Sequence, residues 1–225
     1  MGLDLYGKIE PLLGFEEEKQ KLYEAFLDKL SELGIKNFLD IGCGSGAFMQ
    51  LAKNAGFEPE GIDISRVMVE RARKAELQVY HGDICQLDRK YEAATAVFDV
   101  INYLDKEELA KFFACVKNLL KKGGYFICDM NTLYGFEEIA QGSLILDNDE
   151  QFVAIDAEFA DNRLTTKIYL FEKRDGCYNK EAEEIVQYYH EIGFLKKLGL
   201  ELIDIDFISL YGEEADKVLM TWRVT

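Results

Sequence analysis

The sequence predicts an α/β protein: a mostly parallel, doubly wound sheet of seven strands, interrupted by an antiparallel β insertion. Three observations lead there. Strand-like and helix-like segments alternate through the first 129 residues. After Met130 the pattern changes to a two-residue alternation of polar and apolar side chains. Only two prolines, Pro11 and Pro59, occur in 225 residues, so no proline-rich linker divides the chain. Successive parallel strands need crossovers long enough for a helix, and these place helices on both sheet faces.

The elements follow in order. Leu22, Phe26, Leu30 and Leu33 fall at helical spacing between Glu16 and Leu33, and Gly34 ends that helix. Phe38–Ile41 reads as a buried strand running into glycines, followed by a helix over 46–55. Glu60–Asp63 is a second strand, and Ser65 is a suitable N-cap for a helix over Arg66–Ala75. Leu77–Tyr80 and residues 93–98 are the third and fourth strands. Lys106–Leu120 is a strongly periodic helix, and Lys121-Lys122-Gly123-Gly124 turns the chain into a fifth strand at Tyr125–Cys128. Residues 151–159, 163–172 and 177–189 form the antiparallel insertion, with hairpin turns at Asp161-Asn162 and Arg174-Asp175-Gly176. Part of 181–189 is also compatible with helix. Residues 201–208 and 217–224 are two final strands that return to the main sheet. The core therefore comprises residues 1–132 and 190–225, and 133–189 is the insertion.

Composition narrows the function. The formal charge is −16, with −5 over residues 1–129 and −11 over 130–225. A surplus of that size opposes general binding to nucleic acid or anionic lipid. No apolar run approaches the roughly 20 residues a membrane helix needs, and the acidic amino-terminal stretch does not resemble a signal peptide. The five cysteines (Cys43, Cys85, Cys115, Cys128, Cys177) are scattered without a CxxC, and His81 and His190 lie far apart. Neither a disulfide framework nor a metal site is signalled, so a reduced, cytoplasmic protein is expected.

The strongest chemical signal is Asp40-Ile41-Gly42-Cys43-Gly44-Ser45-Gly46, which follows a strand and opens a helix. Glycines there permit positive φ and close approach of a ligand to backbone N–H groups. The spacing G-x-G-x-G differs from the dinucleotide pattern G-x-G-x-x-G, and Asp40 would repel a pyrophosphate. A ligand with a cationic centre and no phosphate fits better. Asp63, at the end of the second strand, could accept from vicinal ribose hydroxyls. Asp83, at the end of the third, could accept from an adenine amino group, with the Ile84 N–H beside it.

Residues 38–46 (FLDIGCGSG), 61–65 (GIDIS) and 82–84 (GDI), continued by 97–104 (VFDVINYL), resemble the successive motifs of class I S-adenosylmethionine-dependent methyltransferases of the small-molecule type. The resemblance covers roughly residues 1–130 and implies a Rossmann-like core. It implies that Gly42, Gly44 and Gly46, with Cys43 among them, line the methionine part of S-adenosylmethionine. Asp40 would sit near the amino group and Asp63 would take the ribose hydroxyls. Asp83 and Ile84 would meet the adenine edge, with Ile64 and Met68 packed on the ring. Phe98 would approach the methionine part, and Tyr6 would reach in from an amino-terminal lid.

Asn102, Tyr103, Asn131 and Tyr134 follow the fourth and fifth strands and are candidates for the acceptor pocket. His190, where the insertion returns to the core, is the one candidate general base. The Asp/Asn-Pro-Pro-Tyr motif for exocyclic base amines is absent, which with the charge argues against nucleic acid as substrate. The insertion resembles the β lid of small-molecule methyltransferases, although 190–200 leaves little room for a full helix after it. The expected function is N- or O-methylation of a small molecule, and the acidic second part favours an amine or cationic acceptor. Two alternatives stand beside it: an NAD(P)-dependent oxidoreductase, and a non-catalytic protein that binds S-adenosylmethionine. The sequence leaves the oligomeric state open.

Overall fold

A computed structural model describes residues 4–174 and 176–225. Seven strands form the main sheet: β1 (Asn37–Ile41), β2 (Glu58–Asp63), β3 (Val79–His81), β4 (Tyr91–Ala96), β5 (Leu120–Asn131), β10 (Glu201–Ile208) and β11 (Lys217–Arg223). Their order is β10-β11-β5-β4-β1-β2-β3, and only β11 runs against its neighbours. The order reverses direction between β1 and β4, which opens a crevice at the carboxyl ends of those strands. Side chains alternate across the sheet. Phe38 packs with Leu22, Phe26 and Leu30 of α2 (Glu16–Glu32) and Phe48 of α3 (Ala47–Asn54). Leu39 and Ile41 pack on the other face with Leu109, Phe113 and Val116 of α5 (Lys106–Leu119). Ser65 caps α4 (Arg66–Lys74) by accepting from the Met68 N–H, and Asp105 with Glu108 closes a capping box on α5.

A second sheet, in the order β6-β7-β8-β9, lies between β5 and the short α6 (Ile192–Leu195). Its strands are β6 (Gly142–Asp147), β7 (Gln151–Ala160), β8 (Arg163–Arg174) and β9 (Cys177–Tyr188). Asp161 and Asn162 close the β7–β8 hairpin at φ 53° and 61°, both left-handed as a two-residue turn requires. Of the second expected turn, Asp175 lies outside the described residues, while Arg174 pairs with Cys177 across it. Residues 177–188 are strand throughout, with no helix. One face of this sheet buries Val153, Ile168, Leu170 and Ile185 against Leu5 and Ile9, which flank and end α1 (Tyr6–Ile9).

Four expectations need correction. β4 starts at Tyr91 and ends at Ala96, because the chain leaves the ladder at Phe98 and Asp99, both left-handed at φ 62° and 59°. Lys121–Gly124 is a bulge inside β5 rather than a turn before it: Tyr91 pairs with Leu120 and Ala93 with Tyr125. The insertion has a fourth strand, β6, whose pattern carries two exposed apolar residues, Leu144 and Ile145, on an edge. Cys85 and Cys115 form a disulfide, joining the one-turn helix Ile84–Gln86 to α5. Sequence spacing did not signal that pair, because its partners come from elements that only the fold brings together.

Candidate active site

The glycine bend leaves the end of β1 and is pinned to the parallel neighbour β2. The Gly42 N–H donates to the Ile62 carbonyl at 2.8 Å, and the Gly46 N–H donates to the Cys43 carbonyl at 2.9 Å. Gly42, Gly44 and Gly46 sit at φ 71°, 54° and 88°, which strongly favours glycine. They differ in what surrounds them. A Cβ on Gly46 would lie 2.2 Å from Leu77 Cδ1, whereas a Cβ on Gly44 would meet nothing within 4 Å. Gly46 thus allows α3 to pack, and Gly44 faces open space. Cys43 is turned away: its side chain is buried with Met49, Val69 and Val79, and its N–H is spent on the Ile62 carbonyl. It supports the bend from below.

Asp63 bridges two walls of the crevice. One carboxylate oxygen accepts from the Gly44 N–H at 2.8 Å and the other from the Ser65 N–H at 2.7 Å. Each oxygen keeps a lone pair, so the group is fixed in orientation yet still able to accept. Asp40 is buried beneath, with the Thr95 hydroxyl donating to it at 2.8 Å. Burial pushes its carboxyl up to about 7, a rise opposed by that hydrogen bond and reinforced by the charge of Asp63.

Asp83 uses one oxygen to accept from the Cys85 N–H at 2.8 Å and so caps the helix Ile84–Gln86. The Ile84 side chain is turned into the core, where it packs among the residues of β4 and α5. Ile64, by contrast, is 64% exposed at the rim, and Val67 beside it, which sequence reasoning missed, is 43% exposed. Met68 lies under α1, where a Cβ on Gly7 would sit 2.1 Å from its terminal methyl carbon. Ser65 Oγ, 3.0 Å from Asp4 Oδ1, and the Arg71 guanidinium, which donates to the Gly7 carbonyl, also join α4 to the amino-terminal segment.

Past the switch point, the ends of β4, β5 and β11 converge. The Phe98 and Asp99 N–H groups donate to Asp129 at 2.7 and 3.2 Å, which holds the left-handed turn. Lys217 Nζ bridges Asp99 and Asp129, lies 5.6 Å from the Phe98 ring centroid, and is almost completely buried. Asn131 donates its side-chain amide to Asp99 at 3.2 Å. The phenols of Tyr6 and Tyr103 are raised by burial and then by nearby charge, including Asp99, Tyr6 to about 12. Tyr134 packs against the Gly212 backbone before β11. None of Asp99, Asp129 and Lys217 stood out in the sequence as a site residue. The only trace was the stretch 97–104, which resembled a family motif as a whole.

Two expectations about side chains fail here. Asn102 is fully buried and uses its amide on backbone, donating to the Tyr188 carbonyl at 2.8 Å and accepting from the Asn131 N–H at 3.0 Å. It ties β9 to the core and does not line a pocket. His190 is 1% exposed, and its Nε2 lies 2.9 Å from the Leu104 carbonyl, so Nε2 carries the proton. Nδ1 is enclosed without a hydrogen-bond partner among the described residues. Burial lowers the imidazole pKa below its ordinary value. A ring so enclosed and bound to backbone positions the 100–104 turn, and it is not placed to receive a proton from a ligand.

The residues present fit an adenosyl ligand with an amino-acid tail. Gly44 leaves room at the bend, Asp63 offers oriented acceptors, and Asp40 is a buried carboxyl that a cationic amino group would stabilise as the anion. No group of three or more His, Cys, Asp or Glu able to hold a metal occurs among the described residues, and no helix is long and apolar enough to cross a membrane.

Comparison with known proteins agrees. Residues 38–124 match a family model described as a methyltransferase domain. A "putative methyltransferase" of Geobacillus sp. (strain WCH70) is 28% identical over 141 residues, 59% of this chain and 57% of that protein. The chain thus spans little more than half the length of that curated relative. A crystal structure of a S-adenosylmethionine-dependent methyltransferase from Clostridium acetobutylicum ATCC 824 is 22% identical, covers 98% of this chain and 99% of its own, and has a TM-score of 0.80. CalS10, an amino pentose methyltransferase from Micromonospora echinaspora, is 16% identical over 100% of this chain and 98% of its own, with a TM-score of 0.73. Residues 38–124 thus resemble a methyltransferase domain, and the chain as a whole has the fold of the class I S-adenosylmethionine-dependent methyltransferases.

Proposed function

We propose that this chain is a S-adenosylmethionine-dependent methyltransferase whose acceptor is a small molecule, methylated at nitrogen or oxygen. The observation that carries this reading is the Asp63 carboxylate, held between the Gly44 and Ser65 N–H groups beside an open bend. That arrangement suits a ribose diol. Gly42, Gly44 and Gly46 hold the amino-acid tail with Asp40 beneath it, and Ile64 and Met68 take the adenine ring with Asp83 at its edge. When bound, the cofactor supplies an electrophilic methyl group on a sulfonium centre. The chain contributes alignment and exclusion of water.

The roof is assembled from two segments. Glu183 of β9 accepts from the Leu5 and Tyr6 N–H groups at 3.1 and 3.3 Å, and Glu181 pairs with Lys8. In our reading, residues 133–189 are a substrate lid on a core of 1–132 and 190–225. Phe98, Tyr103, Asn131 and Tyr134 border the acceptor. Nitrogen is favoured over oxygen, because among the described residues the acceptor side holds carboxylates paired with Lys217 and phenols raised by burial, groups poorly suited to deprotonate a hydroxyl. The amino pentose methyltransferase among the structural neighbours is consistent with that choice. The charge of −16 favours a small acceptor over a nucleic acid. Transfer of labelled methyl from S-adenosylmethionine to a panel of small amines, phenols, carboxylates and duplex DNA tests the assignment. Label on amines supports it, and label on DNA alone would refute it.

A further inference from the structure

The sequence motifs do not account for the buried charges at the ends of β4, β5 and β11. Lys217, Asp99 and Asp129 bring two carboxylates and one ammonium together, so the ionised cluster carries one surplus negative charge. Burying that surplus is costly unless a cation answers it. Asp129 is enclosed and accepts from the Phe98 and Asp99 N–H groups and from Lys217. The side chains of Lys217 and Asp129 are 2% and 0% exposed, whereas Asp99 is 16% exposed. Asp99 is therefore the member through which the surplus reaches open space. Its position is over-determined. The turn that carries it has two consecutive left-handed non-glycine residues, and such strain concentrates at functional sites. The next residue, Val100, lies against the glycine bend, where a Cβ on Gly42 would sit 2.9 Å from Val100 Cγ2. The phenols of Tyr6, Tyr103 and Tyr211 all feel the Asp99 charge.

We infer that Lys217 is a positioning residue that locks Asp99 as the anionic wall of the methyl-transfer site, so that the crevice selects ligands carrying positive charge at the reacting atom. The inference rests on the proposed function and adds a charge-recognition element to it. The surplus charge would face a cation both before transfer, at sulfur, and after it, at an acceptor nitrogen.

The test compares two ligands by calorimetry. S-adenosylhomocysteine is neutral at sulfur, and sinefungin carries a protonated amine on the carbon that replaces it. One charge interaction at partly screened contact predicts that the protein prefers sinefungin by about tenfold or more. Asp99→Asn, which keeps the shape, should bring the two ligands to within about threefold and leave S-adenosylhomocysteine affinity within about twofold. A preference undiminished in Asp99→Asn, or equal loss for both ligands, overturns the inference. Failure of S-adenosylhomocysteine to bind the unmodified protein overturns the proposed function itself.

A second readout needs no variant. Burial pushes the Asp129 carboxyl up to about 7, against the pull of Lys217 and with the push of Asp99. Sinefungin preference should therefore fade as pH falls through about 7. Around the cluster, Tyr6, Tyr103 and Tyr211 stay protonated in this range. Asp40 titrates at the amino-acid end that both ligands share, so it cancels in the ratio. Lys217→Met should move the midpoint upward, since the carboxylate pair then loses its countercharge. A preference independent of pH, or a midpoint unmoved in Lys217→Met, counts against the cluster.

Discussion

Replacing Asp63 by alanine removes a group that serves the apoprotein and the ligand at once, and the two effects separate. In the folded chain the carboxylate accepts from Gly44 N–H at 2.8 Å and Ser65 N–H at 2.7 Å. Both N–H groups lie at the crevice, where water can replace the lost acceptor, so the stability cost is on the order of 1 kcal/mol. The binding cost is larger. Two ribose hydroxyls lose a charged acceptor that was already oriented, which amounts to about 1.5–3 kcal/mol, or roughly 10- to 150-fold in affinity. Calorimetric titration with S-adenosylhomocysteine reads the second effect, and chemical denaturation of the apoprotein reads the first. Affinity unchanged within about twofold, with the variant folded, would refute the assignment of Asp63 to the ribose. A loss of affinity matched by a collapse in stability would show that the carboxylate only braces the bend.

Three further outcomes follow from the geometry. The Asp40 carboxyl stands at about 7 when folded and near 4 when unfolded, so its contribution to stability is full below pH 4 and is lost as pH rises toward 7. A cationic amino group above it favours the ionised form, so binding S-adenosylhomocysteine near pH 7 should release a proton, seen as a heat that depends on the buffer, and Asp40→Asn should abolish that dependence. The Cys85–Cys115 disulfide closes a loop of sequence separation 30, for which chain entropy gives about 3–4 kcal/mol; denaturation with and without dithiothreitol should differ by up to that amount, and coincident curves would deny the bond. Asn102→Ala should cost on the order of 2–4 kcal/mol, because the Tyr188 carbonyl and the Asn131 N–H lose their buried partner. Faster hydrogen exchange in β9 than in β1 would localise that loss.

What the sequence reveals and hides has a common physical cause. Elements whose causes are local were readable: the α2 stripe of Leu22, Phe26 and Leu30, the Ser65 cap, and the Asp161-Asn162 hairpin turn. The glycine bend and the strand-end acids were readable because backbone conformation and ligand chemistry restrict residue type at fixed spacing. Features that depend on distant partners were not. β4 ends early because Asp129, some 30 residues on, takes the Phe98 and Asp99 N–H groups. Lys217 reads as an ordinary surface lysine until the antiparallel pairing of β11 with β5 sets it opposite Asn131. His190 and Asn102 look like chemistry in the sequence, and the fold turns both to backbone support.

The account stands most directly on a paired titration of the unmodified protein with S-adenosylhomocysteine and with NAD at neutral pH. One-to-one binding of the first and no heat from the second is the expected result. Preference for NAD, or silence toward both, would mean that the bend and its three strand-end acids are arranged for something else.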